Sequence, residues 1–341
     1  MRFEQLLHET IDEMAGEMTA PKAGLAARSM ARGRRIRRAR RVATAGAAIL
    51  AAVAVALPWT FLSQKDTAAP SPAASAQPTR TPAMTRTELP GGWVVIGVGD
   101  QVLDRPTNEY VLMRKPVLPA PAGNRILVID GPESLQLTSV RGADPVTVDP
   151  AGLVGTFNWS PAGDRLVGGI SQKEPFKIGF AVVDARTGAI SKHWIDHDRY
   201  DCSRCDFTWT RDGQEVVMPI ADRSGGEAEE RVSQLQLFNA GTGEPTVSLP
   251  ITDLPAGPFA WSPGGRYVVV GPAGTSQGWR LYDTTTGQNR PFPYPAVWVT
   301  ADVLLATKDG KVITLTPDGA VTATIDVAVP NPGMITFGPP R

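Results

Sequence analysis

The chain has 341 residues, 34 basic and 34 acidic side chains, and two cysteines. The zero net charge hides a basic block before residue 42 and a mildly acidic remainder, so a large basic nucleic-acid surface is not indicated for the main domain. The 34 glycines and 31 prolines make it turn-rich, as many-stranded domains are.

Residues 1–41 read as a cytoplasmic segment. Phe3, Leu6, Leu7, Ile11, Met14 and Met18 recur at helical spacing and make one apolar stripe, with Glu4, Glu9, Asp12, Glu13 and Glu17 on the other faces. So short a helix is marginal in water, and the stripe led by Phe3, Leu7 and Ile11 asks for a partner: a cytoplasmic protein bound by residues 1–20, the membrane surface or a second copy, with the acidic face arguing against anionic lipid. The bland reading is a leader without a partner. Residues Arg32–Arg41 then hold seven arginines and no acid.

From Val42 to Leu62 the chain carries no charge over 21 residues. A helix of that length reaches about 31 Å, the thickness of a bilayer core. Pro58, Trp59 and Phe61 sit near its far end, as at an interfacial belt. The arginines orient the span, which predicts a cytoplasmic N-terminus, an uncleaved signal-anchor and an extracytoplasmic remainder. A cleaved signal peptide is the competing reading, but its basic region would be more than about 40 residues long, against the usual 15–30 for the whole signal. The Ala- and Arg-rich N-terminal part points to a GC-rich bacterial genome. Residues 63–88 are Pro, Ala, Ser and Thr with almost no large apolar side chain, and read as a disordered stalk.

From residue 89 to 341 short β-branched runs alternate with turns. FNWSPAGDRLVGG from Phe157, FTWTRDGQEVVMP from Phe207 and FAWSPGGRYVVVG from Phe259 align without gaps and place Trp159, Trp209 and Trp261 in register. PAGNRILVI from Pro121 is a truncated copy, and VWVTADVLLATKDG, with Trp298, a degenerate one. Each unit continues to a strand ending at Thr-Gly: Thr187-Gly188, Thr242-Gly243 and Thr286-Gly287. The expected unit is a four-stranded blade. Trp closes the first strand, Ser-Pro-x-Gly turns the chain, and the next strand is apolar on both faces because neighbouring blades cover both. These motifs resemble the blades of TolB-like and WD-repeat-like β-propellers. The resemblance implies an all-β ring, and the length divided by about 42 residues per blade predicts six. Met334 to Gly338 are expected to pair near Trp93 and close it.

One constellation stands out, HWIDHDRYDCSRC, residues 193–205. His193, His197, Cys202 and Cys205 are four potential zinc ligands. Against that, the order is unusual. Both histidines would share one face of an outer strand about 13 Å apart, and an exported Cys-x2-Cys oxidises readily. A local Cys202–Cys205 disulfide is therefore expected, with metal and redox readings left open, and His193 as a strand-surface residue. The acidic insert at 225–230 reads as a solvated loop.

No nucleophile elbow, metalloprotease motif or phosphate loop occurs. The sequence therefore predicts no catalytic residue, no cofactor and no nucleic-acid partner. It predicts a membrane-anchored binding or sensing module for an extracytoplasmic protein or glycan. The second reading is a transmembrane regulator similar in layout to membrane-bound anti-sigma factors. The third is an enzyme on a propeller scaffold.

Overall fold

A computed structural model describes residues 86–131, 134–202, 206–223, 231–271, 278–327 and 334–340. The tail stripe Phe3, Leu7 and Ile11, the arginine block, the span 42–62, most of the stalk, Cys205 and the insert 225–230 lie outside them. No helix among the described residues is long and apolar enough to cross a membrane.

The strands form six four-stranded antiparallel sheets. Blade 1 takes Val94–Val98, Gln101–Asp104 and Glu109–Leu112 and receives its innermost strand, Ile335–Gly338, from the far end of the chain. Blade 2 is Val117–Pro119, Arg125–Ile129, Leu135–Ser139 and Val146–Val148. Blade 3 is Leu153–Trp159, Arg165–Gln172, Lys177–Asp184 and Ile190–Ile195. Blade 4 is Thr208–Trp209, Glu215–Asp222, Arg231–Asn239 and Pro245–Leu249. Blade 5 is Leu254–Pro255, Tyr267–Gly271, Trp279–Asp283 and Asn289–Phe292. Blade 6 is Ala296–Trp298, Leu304–Lys308, Lys311–Leu315 and Val321–Ile325.

The turn chemistry is the one the repeat demands. Gly163, Gly213 and Gly265 each donate their backbone N–H to the carbonyl three residues back, and each has φ near +70°. In the second hairpin Asp184, Asn239 and Asp283 accept backbone N–H groups through their side-chain oxygens, fixing the turn before Thr-Gly. Both kinds of turn lie on one side of the ring, the turn face. The blade-to-blade connections and the remaining hairpins lie on the other, the connection face.

The core sits between blades as well as within them. Trp159 and Leu166 of blade 3 pack with Leu127 and Leu137 of blade 2, and Phe180 of blade 3 packs with Trp209 and Phe238 of blade 4. Further layers join blades 4 and 5, 5 and 6, 6 and 1, and 1 and 2. Second strands such as Arg165–Gln172 are therefore buried over most of their length, while the outermost Val321–Ile325 is largely exposed. Ring closure follows from Val94 pairing with Gly338 and Val98 with Ile335. Arg105, 7% exposed, fastens it by donating to the carbonyls of Pro339 at 3.1 Å and Pro121 at 2.7 Å.

The repeated tryptophans are all buried, yet they are not equivalent. Trp159 Nε1 donates to the carbonyl of Leu118 and Trp209 Nε1 to that of Asn158, each on the preceding blade's inner strand. Trp261 Nε1 finds no acceptor. Pro258–Ala260 form a 3-10 turn just before it, so Trp261 meets Val268 through one isolated bridge instead of ending a strand.

Candidate functional site

The inner strands of blades 3 and 4 both leave their ladders near the axis. In blade 3, Val154 pairs with Gly169 and Phe157 with Gly168, so Gly155 and Thr156 are extra residues that bulge out. In blade 4, Cys202 bridges to Ile220 and Thr208 pairs with Val217. Six steps of chain on the inner side thus face three on the other. The two bulges touch: Thr156 donates its hydroxyl to Asp206 Oδ1 at 3.0 Å. Bulges concentrate where a strand is bent to present side chains, which makes this pair a site candidate on geometry alone.

Beside the blade 3 bulge, between blades 2 and 3 on the connection face, lies a cleft of about 480 Å³. Its walls are Val117, Leu118, Ile129, Leu135, Leu153 and Phe157, with Val154, Gly155 and Thr156 at the axial end. The volume is in the range of small-ligand pockets. Val154 is 41% exposed, and Phe176 and Trp194, also on blade 3, are 58% and 40% exposed. Trp194 stands in the register row of Leu153, through Gly179 and Ile170. Blade 3 thus exposes large apolar side chains at its axial bulge (Val154), at its hairpin (Phe176) and on its outer strand (Trp194).

The structure separates the residues of the 193–205 constellation. His193 lies inside the outer strand of blade 3, half-buried against Phe180 at 4.9 Å between ring centres. It is a wedge between blades 3 and 4, which corrects the expectation of a strand-surface residue. Burial pushes its imidazole below the ordinary histidine value. The strand ends at Ile195, so His197 is past it and not on a shared strand face; its ring stands edge-on to Phe176 at 5.5 Å. Cys202 is 6% exposed and in disulfide form. Among the described residues no three His, Cys, Asp or Glu side chains converge to hold a metal ion. Asp201, next to Cys202, takes two bonds from Arg223 at 2.7 and 2.9 Å, and that contact holds its carboxyl below the usual range.

The bulges were not visible in the repeat pattern. The only sequence signal for the second is the long connection from Ile195 to Phe207, which exceeds every other described blade-to-blade connection and carries both cysteines.

Strand pairing and inter-blade cores define a six-bladed β-propeller. No family model matches the chain, and no curated protein does. Among solved structures, TolB from Acinetobacter baumannii is similar at 14% identity with a TM-score of 0.43, covering 70% of this chain and 62% of that one. A protein assigned as TolB of Agrobacterium tumefaciens is similar at 14% identity with a TM-score of 0.37, covering 62% of this chain and 79% of that one. The chain thus spans less than two thirds of the Acinetobacter protein's length.

Proposed function

We propose that this chain is a single-pass membrane protein whose exported propeller is a binding module for a partner protein, engaged through the blade 2–3 cleft and the paired bulges. The cleft is the observation that carries the reading. Its walls are aliphatic and aromatic, and the Thr156 hydroxyl at its axial end is already given to Asp206. A glycan needs several free polar groups around each sugar; an apolar side chain of a protein needs none. Phe176 and Trp194, exposed on the same blade, add further apolar side chains that a protein partner would cover. The anchor at 42–62 and the extracytoplasmic placement rest on the seven arginines and the uncharged run. In this reading a Cys202–Cys205 disulfide shapes the blade 4 bulge; free thiols in unreduced exported protein, read by intact mass after alkylation, would remove that part.

A photoreactive residue placed at Val154 in the full-length protein in cells tests the docking surface. Discrete protein adducts are expected at Val154 and not at Val321, an exposed residue on the outer strand of blade 6. The same adducts at both positions, or none at Val154, reject the reading. The second reading, a regulator acting through residues 1–20, rests on the stripe Phe3, Leu7 and Ile11.

A further inference from the structure

Arg211 stands where the turns of blades 3 and 5 carry Pro161 and Pro263. Its side chain leaves its own blade and reaches past blade 5 to blade 6. Nη1 donates to the carbonyls of Trp298 at 2.7 Å and Trp261 at 3.2 Å, and Nη2 to that of Val299 at 3.4 Å. The guanidinium lies 5.1 Å from the centre of the Phe259 ring, which meets Trp93 of blade 1 edge-on at 5.0 Å. Every acceptor is a neutral carbonyl, and Nε–H donates to nothing among the described residues. Burial alone pushes this guanidinium below its ordinary value, with no carboxylate opposing it. A half-buried cation without a counter-charge is unfavourable until an anion completes it.

Arg211 lines a cleft of about 330 Å³ between blades 4 and 5 on the turn face, with Thr210, Trp261, Gly264 and Thr284. Trp261 in that wall is 3% exposed, and its Nε1 has no acceptor, unlike Trp159 and Trp209. The Nε–H of Arg211, open to water, and the buried Nε1–H of Trp261 thus both lack an acceptor among the described residues that line the cleft. The cleft's own carboxylates are engaged: Asp212 accepts from Thr210 and Gln214, and Glu215 from Thr246. These donors are neutral, so both carboxylates keep their charge and oppose a phosphate dianion more strongly than a monoanion.

We propose that this cleft binds a carboxylate group, seated on the Nε–Nη2 edge of Arg211, the planar edge that matches two carboxylate oxygens. The site is on the opposite face from the cleft assigned to the partner protein and stands independently of it.

Titration calorimetry of the full-length protein with acetate, against chloride at equal ionic strength, tests it. Saturable acetate binding is expected, weakened by about tenfold or more in Arg211→Gln and in Gly264→Leu. A Cβ on Gly264 meets nothing within 4 Å, and the equivalent turn positions hold Ala162 and Asp212. Gly264→Leu therefore adds bulk to the cleft wall without a clash at Cβ and leaves Arg211 in place, so it tests the site even where Arg211→Gln does not fold. Absence of acetate-specific heat in the wild type, or unchanged binding in Gly264→Leu, overturns the site and leaves Arg211 a brace between blades. N-acetylated tripeptides separate the sources. Tighter binding with a free than with an amidated C-terminus supports a peptide terminus; binding of acetate alone supports a small free acid.

Discussion

His193 is pressed against Gly243 so closely that a Cβ on Gly243 would stand 2.5 Å from His193 Nδ1. The contact joins the outer strand of blade 3 to the Thr-Gly turn of blade 4. Gly243 also has φ +78°, in the left-handed region. Gly243→Ala is therefore expected to cost about 1–3 kcal/mol for the backbone alone, and more because His193 cannot retreat past Phe180. Gly264→Ala, at an open position, is expected within about 0.5 kcal/mol of wild type. Denaturant unfolding of both variants checks the contrast; equal stabilities would refute the wedge.

The same histidine gives the fold a pH dependence. Burial holds its folded pKa below the ordinary value of 6.5. The unfolded chain then binds the proton first as pH falls. His193's contribution is fully present above the unfolded pKa and is lost as pH drops through the folded one. Thermal unfolding of wild type and His193→Phe at about pH 7.5 and about pH 5 should show the larger acid loss in wild type. Identical losses would place the imidazole in water.

Much of this is legible in the sequence. Trp159, Trp209 and Trp261 marked three blades because a buried indole and a Gly with positive φ leave few alternatives at their positions. Trp298 and Pro121 marked two more, and the leftover strand at Met334 to Gly338 fell to blade 1 because a ring cannot end on an open edge. The bulge at Gly155–Thr156 and the departure of the blade 4 inner strand between Cys202 and Thr208 were not legible. An inner strand has a ladder partner on one side only, so extra residues there break no repeat pattern. The wedge role of His193 was equally hidden, since it depends on Gly243 some fifty residues away in another blade. Arg211 could have been noticed as the residue that replaces proline among the three gap-free units, but its reach to Trp298 lies in the fold.

Ring closure should be the most sensitive single point. A Cβ on Gly338 would lie 2.2 Å from the Pro121 carbonyl and 2.5 Å from Arg105 Nη2. Arg105→Met keeps the apolar stem and removes two charged hydrogen bonds, each worth about 1.5–3 kcal/mol. The expected loss is about 3 kcal/mol or more, with the C-terminal strand released first. Hydrogen exchange should then rise in Ile335–Gly338 and Val94–Val98 before the other blades. Uniform exchange across all blades would refute the latch.

The last prediction concerns the N-terminal 62 residues, whose reading rests on sequence alone. Seven arginines before an uncharged run predict that protease added to intact cells removes the propeller, while residues 1–41 stay protected. Full protection of the propeller would sink the anchor. Given the anchor, the stripe Phe3, Leu7 and Ile11 becomes testable. A partner groove would bury it through i, i+4 and i+8 anchors, each contributing about 1.5–3 kcal/mol less the cost of ordering the helix. The acidic residues between those anchors favour a basic partner. Leu7→Glu with Ile11→Glu should abolish co-purification of such a partner and change transcript levels, while the protein still reaches the membrane. If the double variant behaves as wild type in both measurements, the tail only orients the span. Recognition would then belong to the propeller faces alone.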